Sequence, residues 1–218
     1  MWSMFCIKNG MVHDAINLEA YQADILVKDG KIAGIGKDLN VPEDVEIVDV
    51  SGLSVYPGFV EAHGHMGLDG YGIGYEGQDY NELGDIVSPQ LRAIDGIKPG
   101  DYAFKEAAAA GVTCVSVGPG SANVLGGTFT AIKTVGICVD DMVVKKETAM
   151  KCAFGENPKR IYKDKGNSSR MSTAAKLREM LFKAKEYNEK ILAAGEDEAK
   201  RPPFVMKLNA LLPVIRRE

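Results

Sequence analysis

The stretch Val55-Tyr56-Pro57-Gly58-Phe59-Val60-Glu61-Ala62-His63-Gly64-His65-Met66-Gly67 decides how this chain is read, because it ends in two histidines one residue apart. On a strand, residues i and i+2 point to the same face, whereas on a helix they diverge by roughly 200°. Both imidazoles can therefore reach one ion. The apolar residues before them read as a short buried strand, and Gly64, Gly67, Gly70, Gly72, Gly74 and Gly77 then break the chain into a loop. The pair sits at a strand end, which is where parallel α/β folds gather reactive groups in the loops beyond the strand tips.

Around this run the pattern falls into two parts. Residues 1–57 form an opening module of short strands, expected as the N-terminal part of a small β-sandwich. Asn9-Gly10 and Asp29-Gly30 each stand between runs of strand formers, and such pairs tolerate the positive φ angles of tight turns, so two hairpins are expected. A third strand follows at Val45 to Val50. From residue 58 to 218 strands and helices alternate, which predicts a parallel sheet with helical crossovers. The first strand is expected over Ser54 to His63. A helix capped by Asp101 and stopped by Gly111 feeds a second strand, Val112 to Val117. Further strands are expected at Ala131 to Gly136 and Met150 to Glu156. Ser172 is expected to cap a long helix through Ala194, ended by Gly195, and a last short helix should span 204–216.

The histidine run resembles the end of the first barrel strand in the metal-dependent amidohydrolase superfamily, Pro-Gly-(apolar)-(apolar)-Asp-x-His-x-His, and within it the imidazolonepropionase-like members. Glu61 stands where the family has Asp, so no role is carried over to that carboxylate. The fold implied is α/β, a partial TIM-type (β/α)8 barrel preceded by the sandwich module. The activity implied is hydrolysis of C–N bonds in amides or cyclic amides by metal-activated water. His63 and His65 would hold a divalent cation, zinc first. Catalytic zinc keeps about three protein ligands. Glu156 is expected as the third, where Ala153-Phe154-Gly155-Glu156 meets the turn former Asn157-Pro158. Lys151 competes with it, because many members of the superfamily bridge two metals with a carboxylated lysine. An exposed charge beside a turn is the plainer reading of either residue, since Lys and Glu mostly sit at surfaces. The loop Gly118 to Gly127 is expected to face the substrate, with Asn123 as its contact. No catalytic acid or base is assigned.

Two other signals carry less. Gly72-Ile73-Gly74-Tyr75-Glu76-Gly77 fits Gly-x-Gly-x-x-Gly, but the dinucleotide motif must follow a strand and open a helix, and this one runs on from a glycine-rich loop. The lysine-rich segment from Met171 to Ala194 also carries Glu179, Glu186 and Glu189, and so reads as a solvated face.

Composition narrows the class. The chain has 218 residues, 45% of them apolar, and a formal net charge of −4, which gives no electrostatic case for nucleic acid. No apolar run approaches the roughly 18 residues of a membrane span, and the start lacks the charged and apolar regions of a signal peptide, so a cytoplasmic protein is expected. Cys6, Cys114, Cys138 and Cys152 lie far apart and read as reduced core residues.

A complete barrel takes about 250 residues, more than this chain has after its opening module, and the third histidine, His13, lies in that module. The resemblance therefore implies the first half of a hydrolase, inactive alone. The alternative is a non-catalytic fragment that associates with a partner, either a complementing C-terminal half or another copy in a homo-oligomer.

Overall fold

The computed structural model describes residues 4–37 and 39–218. The chain forms two compact units, one up to Gly58 and one from Phe59 onward.

The first unit is a five-stranded sheet. Strands β1 (Phe5–Val12), β2 (Tyr21–Lys28), β3 (Lys31–Gly36) and β4 (Glu46–Asp49) lie in the order β3-β2-β1-β4, and β5 (Ser54–Val55) also pairs with β1. Asp29-Gly30 makes the hairpin between β2 and β3, both residues holding positive φ (52° and 71°). Asn9-Gly10 does not turn the chain. It is a bulge inside β1, where the register to β2 shifts between Ile7 and Gly10 and Asn9 sits at φ 65°. Two aspartates hold it there: the Asn9 N–H donates to Asp24 Oδ1 at 3.0 Å and its side-chain amide to Asp49 Oδ1 at 3.1 Å. A conformation that suits a turn also suits a bulge, and the neighbouring strands decide between them. Val12, Ala23 and Ile25 form the buried apolar cluster of this unit.

The second unit is mixed α/β. β6 (Phe59–Gly64), α1 (Tyr102–Ala109) and β7 (Val112–Val117) form a parallel pair with a helical crossover, Glu61 opposite Val115 and Gly64 opposite Val117. α1 begins where its cap predicts, with Asp101 Oδ1 accepting the Ala103 N–H at 2.8 Å, and ends before Gly111 at φ 86°. The expected strand from Ser54 to His63 is two strands, because Pro57 can donate no ladder hydrogen bond and Gly58 ends the first unit. Nor is β6 buried. It lies at the end of the sheet order β10-β9-β7-β6, and Phe59 and Val60 are 55% and 67% exposed.

Beyond β7 the parallel pattern stops. β8 (Leu125–Thr128) pairs with β11 (Met150–Cys152) in an antiparallel ribbon. β9 (Thr130–Lys133) runs antiparallel to β7, and β10 (Val143–Lys145) antiparallel to β9, with α2 (Val139–Met142) between them. Strand formers at these positions fix the element type but not its direction, which is set by the connections. The stretch expected as a strand to Glu156 ends at Cys152, and α3 (Glu156–Ile161) begins at Glu156 itself. α4 (Arg170–Ala194) is capped by Ser169, with Ser172 completing a reciprocal capping box three residues in. The final segment makes two short helices, α5 (Met206–Asn209) and α6 (Leu212–Arg216), rather than one. Of the cysteines Cys6 is buried and Cys138 and Cys152 are exposed. Among the described residues no helix is long and apolar enough to cross a membrane.

Phe104 carries α1 onto the sheet, 2% exposed within a cluster that includes Leu68, Ile97, Val115, Val117 and Ile132. Truncating it removes a ring from a closed space and leaves a cavity. Phe104→Ala is expected to lower unfolding free energy by about 3–5 kcal/mol, measured by urea denaturation. A loss below about 1 kcal/mol would show that α1 is not anchored through this ring.

Candidate metal centre

The end of β6 delivers both histidines to one place. The rings of His63 and His65 lie 5.6 Å apart between centroids at an interplanar angle of 90°. The backbone N–H of His63 donates to Glu61 Oε1 at 3.0 Å, so the glutamate braces its own strand end. Beyond Gly64 the chain turns, with the Leu68 and Asp69 N–H groups both donating to His65 O at 2.9 Å.

Each ring has a defined surrounding. His65 Nδ1 lies 2.7 Å from the carbonyl oxygen of Gly118, so Nδ1 carries the proton and donates, which leaves the Nε2 lone pair for a ligand. Tyr80 stacks on the same ring, centroids 5.4 Å apart and planes 20° from parallel. Phe129 meets His63 edge to face at 5.2 Å and 79°. Lys151 reaches the pair from the ribbon, where it stands opposite Gly127, and its Nζ lies 3.3 Å from His63 Nε2.

Burial sets the electrostatics. Lys151 is 8% exposed, and desolvation pushes its ammonium below the usual lysine range, with Cys152 opposing slightly. His63 is held below the usual imidazole range by burial first, then by Lys151 and His65, against Glu61. Both shifts favour the uncharged nitrogen, the form that carries a lone pair. Two imidazoles and an amine thus converge at the end of β6. Among the described residues no three His, Cys, Asp or Glu side chains gather as a metal group.

The other expected site residues lie elsewhere. Glu156 is the first residue of α3, its side chain 74% exposed and paired with Lys159 Nζ at 3.5 Å. It is a helix-start carboxylate and not a strand-tip one. Asn123 is fully buried. Its amide nitrogen donates to Glu82 O at 2.9 Å, Asp85 O at 2.8 Å and Tyr162 Oη at 3.0 Å, and so faces the protein interior. Tyr162 in turn donates to Glu82 O at 2.6 Å. Its phenol pKa is pushed up to about 12, chiefly by burial and then by Glu82 and Asp85.

Tyr80 and Phe129 were not legible as site residues, since nothing in their local sequence marks them. Both are set against the histidines by long-range packing. Tyr80 also lines a cleft of about 870 Å³ whose walls include Tyr75, Asn81, Leu91, Lys98 and Pro119.

Comparison with known proteins gives the following. No family model matches the chain. It superposes on a crystal structure of an amidohydrolase from Thermotoga maritima MSB8 with a TM-score of 0.91 and 39% identity, covering 97% of this chain and 55% of that one. An amidohydrolase of Hapsidospora irregularis is 33% identical over 153 residues, 64% of this chain and 16% of the relative. An allantoinase of Escherichia coli O1:K1 is 51% identical over 72 residues, 32% of this chain and 15% of the relative. A dihydroorotase of Aquifex aeolicus is 44% identical over 91 residues, 41% of this chain and 19% of the relative. The chain thus spans about half of the matched structure, and under a fifth of each of these three sequences aligns with it.

The Asn123 amide decides whether the loop after β7 is a binding surface or a brace. Asn123→Ala removes one donor from Glu82 O, Asp85 O and the Tyr162 hydroxyl, which keep Tyr162, Ser88 and Glu82 as partners, and is expected to destabilise the fold by about 1 kcal/mol. Thermal and urea unfolding check this, and an unchanged stability would return Asn123 to the role of a substrate contact.

Proposed function

Because the chain belongs to the amidohydrolase superfamily over the N-terminal region it shares with these relatives, we propose that it supplies part of the metal centre of a hydrolase acting on C–N bonds of amides or cyclic amides. The observation that carries this reading is the convergence of His63, His65 and Lys151 at the end of β6. His63 and His65 would hold a divalent cation, zinc first, through a nitrogen of each ring. Lys151 stands as third donor, either as the neutral amine that its burial favours or as the carboxylated form for which the resemblance gives a precedent. When bound, such a cation lowers the pKa of its water to about 7 and polarises a carbonyl.

The chain's own residues prepare the site. Gly118 O fixes the His65 tautomer, and Phe129 packs edge to face on His63 with its ring centre 5.8 Å from Lys151 Nζ. The cleft that Tyr80 lines, beside the ring stacked on His65, is the space this reading offers a small amide. Asn123 acts from behind its wall. The parallel unit β6-α1-β7 is the opening of a barrel in this reading. Two imidazoles and one amine leave the centre short of an anionic ligand, so the chain alone is expected to bind metal without turning over substrate.

Zinc titration against a chromophoric chelator tests the donor set. His63→Ala and His65→Ala are each expected to weaken binding by a hundredfold or more, Lys151→Met by tenfold or more, and Glu156→Gln not at all. Equal losses for Lys151→Met and Glu156→Gln would overturn the assignment of the third donor. Hydrolysis assayed on a panel of amides, lactams and dipeptides, with a longer polypeptide carrying this chain as its N-terminal region, tests the reaction. A metal-loaded protein inactive on the whole panel would sink it.

A second reading is favoured by β6 itself. Among the described residues this strand pairs along one edge only, and Val60 is 67% exposed, which is the surface through which polypeptides associate by strand addition. The chain is accordingly expected to self-associate with increasing concentration in analytical ultracentrifugation. Val60→Lys should weaken that association at least fivefold, and a monomer at all concentrations would remove this reading.

A further inference from the structure

We infer that the turn Gly118-Pro119-Gly120 is the positioning element of the histidine pair. Each of its glycines opens the space in which one aromatic ring packs against one histidine, and the carbonyl of the first orients His65. The inference rests on the metal reading above only for what the rings are positioned to do.

The space is measurable. A Cβ at Gly118 would lie 2.3 Å from Phe129 Cγ, and Phe129 is the ring set edge-on against His63. A Cβ at Gly120 would lie 2.5 Å from Tyr80 Cδ2 and 2.5 Å from Asn81 Oδ1, and Tyr80 is the ring stacked on His65. These separations are far inside carbon–carbon contact distance, so any side chain at either position displaces a ring. Neither glycine is among those with positive φ. Space, and not backbone conformation, is what they provide.

The turn has no hydrogen-bond donors left over for an anion. Gly118 N–H donates to Gly64 O at 3.0 Å, Gly120 N–H to Tyr80 O at 2.6 Å, and Ala122 N–H to Asn81 Oδ1 at 3.1 Å. Pro119 has none and holds its own φ fixed. One turn therefore ties the tip of β6, through Gly64 and His65, to the segment that carries Tyr80. Its polar groups are spent on placing side chains.

The test uses the full chain and the variants Gly118→Ala, Gly120→Ala, Tyr80→Leu and the double variant Gly120→Ala/Tyr80→Leu. Gly100→Ala is the control, since a Cβ there meets nothing within 4 Å. Two readouts are taken: zinc affinity by chelator competition, and the nitrogen–proton correlation spectrum of the histidine rings in the metal-free chain. Gly120→Ala is expected to weaken zinc by about tenfold or more, the scale of lost outer-shell support, and to disturb the single His65 tautomer. Gly118→Ala should move the His63 ring signals instead, and Gly100→Ala neither set. In the Tyr80→Leu background Gly120→Ala should add less than a twofold further loss, because the ring it displaces is gone.

A folded Gly120→Ala with wild-type ring signals overturns the inference, as does an effect that persists undiminished without Tyr80. If Gly120→Ala does not fold, Tyr80→Leu decides, and unmoved His65 signals count against us. Ring signals that respond as described in a chain that binds no zinc would sink the metal reading and leave the positioning role standing.

Discussion

The hydrogen bond from His65 Nδ1 to Gly118 O joins the tips of two strands that are 53 residues apart in sequence, and the site depends on it. It can form only because β6 and β7 run parallel with their ends level, Gly64 opposite Val117. A slip of one residue in that register would turn every side chain of β6 to the other face and carry Gly118 O away from the ring. The crossover helix α1 enforces the register through Phe104, packed on Val115 and Val117. The imidazole tautomer is in this sense a consequence of core packing.

The amine of Lys151 shows the same dependence. Lys151 is buried beside an imidazole, and two positive charges at that distance would repel, with Glu61 acting on His63 in the opposite sense. The arrangement is stable with the nitrogens neutral, which is the direction in which burial drives both groups. Glu156 needs no such explanation. A carboxylate in the first turn of α3 is favoured by the positive end of the helix dipole, and Lys159 pairs with it.

Much of this was readable in advance where local chemistry decides the outcome. Asp101 marked the start of α1, Gly111 its end, and the apolar run from Val112 to Val117 gave β7 with its limits. The alternation of His63 and His65 about Gly64 placed their rings side by side. Failures cluster where distant groups decide. Asn9-Gly10 became a bulge because Asp24 and Asp49 claim its donors. The direction of β9 is set by pairing to β7, which residue types do not encode. Glu156 followed a strand in the reading because Phe154 is a strand former, yet a helix starts there. Tyr80 and Phe129 have no local signature at all.

The long excursion between β6 and α1 also gains a role from these constraints. A connection of this length is uncommon in a compact domain unless it is functional, and it is not left loose. From one side Asn123 and Tyr162 hold the carbonyls of Glu82 and Asp85, and Lys165 holds that of Leu83. From the other, Gly120 holds the carbonyl of Tyr80. The backbone from Tyr80 to Asp85 is thus held by hydrogen bonds from both sides, which lowers the ordering cost for a molecule that meets it. The side chains that a small molecule in the cleft would meet on its wall include Tyr75, Tyr80, Asn81 and Lys98. Of these Tyr80 alone also touches a histidine of the pair. One ring thus shapes the cleft and packs on His65, so a displacement of Tyr80 changes both.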